Sequence, residues 1–362
     1  MELYQANRQW ATRPADERFA TLESMYAACH AYFQSSKQSK FTFKGVDFEP
    51  QGNEVMLHGL SSGTHTRLTH YAFGQLATDL ASPANYLRTL PPQLACDNLN
   101  YGLTVADKDK LNVGLFHSNN GNGLICRCVT SSVYQRIWNY EIIDRLIPLA
   151  NDGWTVPPAM DNADRPSGLY ASDHDMFTFL VDEQHRINDN SEGGLARGFF
   201  VINSEVGQSA FKVLTFLYRY VCGNHIVWGA KNVQQVRIIH KGNPARNWDN
   251  TLRIELTKYA NESASNDTFK IERAMRFDLG ATKEKVLDAL FSKRSLGITK
   301  KNLESAYSIA ETRHELEPSY ESPPNTVWGM VNGLTRVSQQ STYGDERTKL
   351  DVAAGKIMEM AF

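Results

Sequence analysis

The sequence predicts an α+β protein, with antiparallel β-hairpins and sheet packed with helices over residues 1–245, followed by a mostly helical C-terminal region over 246–362. Three observations carry this. Short runs of alternating apolar and polar residues, bounded by turn residues, recur before Asn243. Apolar residues at helical spacing are interspersed among them. Beyond Asn243 every patterned segment reads as a helix. At 362 residues, 41% hydrophobic before its 24 glycines are counted, the chain can bury a sizeable core in two ordinary domains or one large one.

The first helix is signalled by Thr12 as a cap, Pro14 in the first turn, and Asp16 and Glu17 at the positive end of its dipole. Phe19, Leu22, Tyr26, Cys29 and Phe33 form its buried stripe. After a polar stretch from Gln34 to Lys40, Phe41 to Phe48 and Glu54 to His58 read as a hairpin about a Pro50/Gly52 turn. Thr69 heads a second helix, Ser82-Pro83 a third, and Pro91-Pro92 opens a short fourth. Leu111 to His117 and Leu124 to Val129, joined through Asn119-Asn120-Gly121-Asn122-Gly123, form the clearest hairpin, since glycine and asparagine tolerate positive φ. Ser131 or Ser132 then caps a helix carrying Ile137, Trp138, Ile142, Leu146 and Leu149. A long loop from Asn151 to Ser172 leads to strands at Met176 to Val181 and Gly198 to Ile202. Phe211 to Val221 is apolar throughout and is read as a helix, with a buried strand as the alternative. Val233 to His240 reads as a strand. The remaining helices fall at Trp248–Tyr259, Phe269–Leu279, Thr282–Phe291, Thr299–Ala310, Val327–Val337 and Lys349–Met360.

No run approaches the roughly 18 apolar residues of a membrane span. The start, MELYQANRQW, lacks a basic-then-apolar secretory pattern. The five cysteines, Cys29, Cys96, Cys126, Cys128 and Cys222, suit a reducing compartment. The expected location is therefore the cytoplasm of a bacterial host, with no membrane partner.

The net charge of −2 excludes a uniformly basic nucleic-acid coat but conceals a bipolar chain. Between Ile226 and Lys258 six basic residues, Lys231, Arg237, Lys241, Arg246, Arg253 and Lys258, oppose two acidic ones for a surplus of +4. Lys283 to Lys301 also sums to +4, whereas Asp161 to Glu192 sums to −6. Trp228, His240 and Trp248 interleave with the first basic stretch. Cations that neutralise phosphates beside aromatic faces that stack on any base are what a single-strand binder uses. The competing reading is a solvated amphipathic face with both tryptophans in the core.

Other constellations are weaker. Cys126 and Cys128, two apart on a strand, are expected on one face. With Cys222 and His225 they offer zinc-type ligands, but not at a zinc-ribbon spacing. Asp173, His174 and Asp175, with Asp182 and Glu183 following, could hold magnesium for phosphoryl chemistry, against the plainer reading of loop carboxylates without metal. His58, His65 and His70 cluster loosely without the spacing of a metal helix. No Walker loop is present. In Asn203-Ser204-Glu205-Val206-Gly207 the structural expectation is side-chain turns, a special glycine conformation and a Glu205–arginine pair.

Several blocks together resemble a known family: Gln9-Trp10-Ala11-Thr12-Arg13-Pro14 through Phe19, Leu90-Pro91 before Leu99-Asn100, Arg127-Cys128-Val129-Thr130 through Tyr134, Gly198 to Gly207 (GFFVINSEVG), and Leu217 to Asn224 (LYRYVCGN). The chain resembles the phage/plasmid-like family called domain of unknown function 932, over roughly residues 8–245. That resemblance implies a role on a mobile element and assigns no activity. Combined with the basic stretches, it leads us to expect a homo-oligomeric, non-enzymatic protein that binds or anneals single-stranded DNA in recombination, replication or repair. Neither cofactor nor metal is required. Lys231, Arg237, Lys241, Arg246 and Arg253 are the expected phosphate contacts and Trp248 the stacking residue. The alternatives are a metal-dependent nuclease or phosphoryl-transfer enzyme built on Asp173, His174, Asp175 and Glu205, and a phage counter-defence protein that binds a host factor.

Overall fold

The computed structural model describes residues 17–60, 65–118, 123–156, 168–187, 194–219, 224–226, 236–238, 254, 264–340 and 344–362. They form the expected α+β architecture, with two sheets and a helical C-terminal part.

The first sheet has six strands, β1 (Ser36–Phe41), β2 (Asp47–Gln51), β3 (Glu54–His58), β4 (Thr66–Leu68), β5 (Asn112–Ser118) and β6 (Leu124–Ser131), in the order β1-β5-β6-β4-β3-β2. All neighbours are antiparallel except the parallel pair β4–β6. Helices α2 (His70–Asp79), α3 (Ala84–Leu87) and α4 (Pro92–Val105) cover one face, burying Leu76, Leu87, Cys96 and Leu99 against Phe48, Leu57, Phe116 and Cys126. Thr69 caps α2, its Oγ1 accepting the Ala72 N–H at 3.1 Å. The stretch Gln34–Lys40, too polar to signal a strand, supplies β1. It is an edge strand, where exposed lysines such as Lys37 discourage further pairing.

The second sheet has seven strands: β7 (Trp154–Thr155), β8 (Leu169–Ala171), β9 (Met176–Asp182), β10 (Leu195–Asn203), β11 (Phe211–Arg219), β12 (Asn224–Ile226) and β13 (Val236–Ile238). The main path is β12-β11-β10-β9-β7, with β13 on β11 and β8 on β9. Helices α1 (Leu22–Gln34) and α5 (Asn139–Asn151) lie on one face, placing Met25, Ile142 and Leu146 against Phe199, Val201 and Phe211. On the opposite face Tyr170, Phe179 and Phe200 form a second cluster. Because β10 is covered on both sides, it shows no alternation of burial. An unbroken apolar run has no period that tells a strand from a helix, which explains the correction at Phe211–Val221, expected as a helix. Phe211–Arg219 is a strand, paired antiparallel to β10 from Ile202↔Lys212 to Leu195↔Arg219.

Two helix starts also differ from expectation. Thr21, not Thr12, caps α1, its Oγ1 accepting the Ser24 N–H at 3.1 Å; Thr12 and Pro14 lie outside the described residues. Phe19 precedes the helix and donates its N–H to the Leu169 carbonyl at 3.1 Å. Ser131 and Ser132 cap nothing. The chain turns there, Tyr134 N–H to Ser131 O at 3.0 Å, and α5 begins at Asn139.

The C-terminal part comprises α6 (Ala264–Arg276), α7 (Lys283–Phe291), α8 (Lys300–Leu316), α9 (Val327–Gln340) and α10 (Gly344–Met358). Thr282 and Thr299 cap α7 and α8. Trp328, Val331, Leu334 and Ile357 centre their core, which also takes in Ile187 and Leu195, the first residue of β10. Arg197 of β10 reaches Asp267 of α6 at 2.6 Å.

Candidate functional site

A one-residue irregularity in β6 aims a guanidinium at the second sheet. The β5–β6 register slips so that Leu115 lies opposite Cys128 and Phe116 opposite Cys126, leaving Arg127 as the extra residue of a bulge. Adjacent Leu115 and Phe116 point to opposite faces, and so do the cysteines they oppose. Cys126 sits in the core under α2 and α4, Cys128 with Leu115 and Val206. The expected common face for the two thiols is thus broken. Cys222 lies outside the described residues.

Arg127 is fully buried and projects onto the Asn203–Gly207 segment that follows β10. Its Nη2 donates to Glu205 Oε2 at 2.9 Å and to the Asp173 carbonyl at 2.8 Å. Its guanidinium lies 4.2 Å from the Tyr32 ring centroid. Burial is the largest influence and opposes its charge, but the charge and hydrogen bond of Glu205 together with Tyr32 and Cys128 outweigh it and raise the Arg127 pKa.

The other Glu205 oxygen, Oε1, accepts the Asn139 N–H at 2.9 Å, at the first turn of α5 where a carboxylate complements the helix dipole. Arg136 Nη1 donates to the Glu205 carbonyl. Asn203 Nδ2 donates to Ile137 O at 3.0 Å and Asn139 Oδ1 at 2.8 Å. Ser204 Oγ donates to His174 O at 2.6 Å, and Tyr134 Oη to Ser204 O at 3.1 Å. Gln75 of α2 accepts the Val129 N–H at 2.9 Å and donates to Val206 O at 3.1 Å. Gly207, at φ +89°, has the left-handed conformation that glycine adopts freely. Asn203–Gly207 is a polar clamp joining both sheets to α5, and it contains the glutamate–arginine pair expected from sequence.

The carboxylates of the alternative, enzymatic reading are engaged by protein donors. Asp173 Oδ1 lies 2.6 Å from His174 Nδ1, and Asp175 Oδ1 accepts from Ser172 Oγ at 2.5 Å. Burial pushes the Asp173 carboxyl up, but the His174 hydrogen bond and the charges of His174 and Arg127 outweigh it and leave the pKa lowered. Asp182 folds back onto the N–H groups of Gln184 and His185 at 3.0 and 3.3 Å. Glu205 is held by Arg127 and Asn139, and the Asp173 and His174 carbonyls accept from Arg127 and Ser204, so Glu205, Asp173 and His174 contribute to the clamp. Beside it opens a cleft of ≈ 580 Å³, whose wall includes Tyr71, Gln75, Arg88 and Tyr134.

Of the expected phosphate and base contacts, Lys231, Lys241, Arg246, Trp248 and Arg253 lie outside the described residues. Arg237 falls in β13, its backbone opposite Lys212 of β11. The second basic stretch is described. Lys285, Lys293, Arg294, Lys300 and Lys301 are exposed, while Lys283 packs its Nζ 5.2 Å from the Tyr307 ring and donates to Ser308 Oγ at 3.2 Å. Sequence reasoning missed the exposed aromatics of the C-terminal part. Phe269, Phe277, Phe291 and Phe362 are 60%, 37%, 51% and 48% exposed. Lys270 Nζ and the Arg273 guanidinium stand 5.8 and 5.9 Å from the Phe362 ring. Phe291, Lys293 and Arg294 line a cleft of ≈ 630 Å³ at the end of α7. A signal existed: Phe269 is off the stripe that buries Ile271 and Ala274 on α6, which leaves it on the solvent side.

Fold and clamp define an α+β protein in which two sheets are joined through a buried ion pair and backed by a helical C-terminal part. The chain belongs to the family described as Domain of unknown function (DUF932), which it matches over residues 129–348. That span differs from the expected 8–245. The Gln9–Phe19 and Leu90-Pro91 blocks fall outside it, while the GFFVINSEVG block and most of the C-terminal helices fall inside. No curated protein and no solved structure gives a significant match. Among the described residues no helix is long and apolar enough to cross a membrane.

Proposed function

We propose that this protein binds single-stranded nucleic acid and anneals complementary strands. The setting implied by the family resemblance is recombination, replication or repair of phage or plasmid DNA. The observation that carries the reading is the pairing of exposed phenylalanines with cations on the C-terminal helices: Phe291 with Lys293 and Arg294, and Phe362 with Lys270 and Arg273. Exposed rings beside cations offer stacking faces, and base faces are partners that tolerate any sequence. An annealer holds two strands at once, so the active form is read as a homo-oligomer.

Fluorescence anisotropy of a labelled single strand tests this. Affinity should fall steeply with salt, and each phosphate contact removed should lower the log–log slope by about 0.7. Phe291→Ala should weaken binding by about 1–3 kcal/mol, the typical value of one stacked base. Absence of low-salt binding, or equal binding by a Lys293→Glu/Arg294→Glu double variant, would refute the proposal. Strand lengths should be unchanged after incubation with magnesium, which separates annealing from nuclease action.

A further inference from the structure

The first sheet presents, on the face away from its helices, a set of side chains that serves neither the clamp nor the aromatic surface. Asp47 of β2 lies directly opposite His58 of β3. His58 is in turn opposite His65 when the β3–β4 register, Leu57↔Thr66, is continued by one residue. Directly opposed residues share a face, so Asp47, His58 and His65 form a row across three strands. Glu49, two residues from Asp47, extends from the same face. Its carboxylate reaches over β3 to within 3.6 Å of His65 Nδ1. His58 Nδ1 lies 3.3 Å from Asp47 Oδ1, and the two imidazole rings are 4.7 Å apart, centroid to centroid. One ligand atom each from Asp47, Glu49 and His58 falls within 4.8 Å of the others.

We propose that Asp47, Glu49 and His58 bind a divalent first-row transition ion, with zinc the best-suited occupant and His65, which stands outside that converged trio but contacts Glu49, turning in as the fourth ligand. Ligand bonds of about 2.0–2.1 Å arranged tetrahedrally place neighbouring donor atoms about 3.4 Å apart. The two nitrogen–oxygen separations, 3.3 and 3.6 Å, bracket that edge, and the second is longer than a good hydrogen bond. Two imidazoles and two carboxylates suit zinc, nickel or copper better than magnesium or calcium, which prefer all-oxygen sites. The platform is also rigid. Asn100 of α4 accepts the Phe48 N–H at 2.8 Å and donates to the Phe48 carbonyl at 2.9 Å, pinning β2 between its two carboxylates. Phe48 and Leu57 are buried on the other face. An ion here would tie β2 to the start of β4 across β3.

The competing arrangement is a pair of carboxylate–imidazole contacts with no ion. Titration of the whole protein with zinc chloride by calorimetry, and with cobalt chloride by visible absorption, separates the two. One equivalent should bind, with tetrahedral cobalt bands, and zinc should raise the melting temperature. His58→Ala and His65→Ala, checked for folding by circular dichroism, should each weaken zinc binding by about tenfold or more. No stoichiometric zinc or cobalt binding by the wild-type protein would overturn the proposal. So would binding unchanged in a folded His58→Ala/His65→Ala double variant.

Discussion

Arg127 Nη2 and Glu205 Oε2 meet at 2.9 Å with both side chains withdrawn from solvent, and they connect a bulge of the first sheet to the turn that ends β10. A buried pair of this sort adds little net stability, because desolvation offsets attraction, but breaking it strands a charge. Arg127→Met should therefore destabilise by about 3–5 kcal/mol, and Glu205→Gln should also be severe. Arg127→Met/Glu205→Gln should cost less than the sum of the single changes. Urea denaturation of the four proteins measures the coupling. Additive losses would mean that the two groups do not act as a pair.

Two groups near the clamp set the acid limb of stability. The Asp173 carboxyl is lowered from its ordinary 3.8 in the fold. Its contribution is present above that ordinary value and is lost as pH falls through the lower folded one. His117 acts in the same direction at higher pH. Burial, then the nearby Arg127 charge, lowers it from 6.5, so the unfolded chain takes up a proton first and stability declines once pH falls below about 6.5. The expected profile descends in two stages. In urea midpoints recorded against pH, His117→Gln should flatten the upper stage and Asp173→Asn the lower.

Local chemistry was legible where it was self-contained. Thr69, Thr282 and Thr299 announce helix starts because capping needs only a side-chain oxygen and the next turn. The β5–β6 hairpin declares itself in its asparagine–glycine tip. What escaped depends on distant chain. Phe211–Arg219 reads as a helix or a strand alike until β10 is known to flank it. Arg127 falls within a strand that alternates on paper, and only the slip against Leu115 and Phe116 shows that it leaves its sheet. The Glu205 partner was foreseeable in kind, since a buried carboxylate requires a cation, but not in identity. The carboxylates 173–175 resembled a metal set by proximity in sequence, whereas Asp47, Glu49, His58 and His65 converge through strand register.

The described cysteines should behave as inert thiols. Burial pushes Cys29 up to about 12 and Cys96 up to about 11, and it also raises Cys126 and Cys128. The positive charges of Arg136 and Arg127 oppose this at Cys128 without reversing it. A thiol reacts as its thiolate and only when reached by reagent. Titration with a chromogenic disulfide should show these four groups silent in the native protein and reactive in denaturant. Rapid native labelling of Cys128, located by mass spectrometry, would contradict its placement beside Leu115 and Val206.

Helices α8 and α9 approach each other backbone to backbone. At Gly333 of α9, an added Cβ would stand 2.1 Å from the Ala306 carbonyl oxygen of α8. Alanine is favoured over glycine within a helix by about 1 kcal/mol, yet here it would wedge apart two helices whose contact is backbone. Overpacking typically costs about 1–3 kcal/mol, so Gly333→Ala should destabilise on balance. Gly74 in α2 provides the control. Its added Cβ would meet only the end of the Arg88 side chain at 3.2 Å, which can move. Gly74→Ala should therefore be neutral or stabilising by up to about 1 kcal/mol. Melting curves of the two variants should shift in opposite directions, or in one direction only for Gly333→Ala. If Gly333→Ala raises the melting temperature, α8 and α9 do not pack as closely as their backbones indicate.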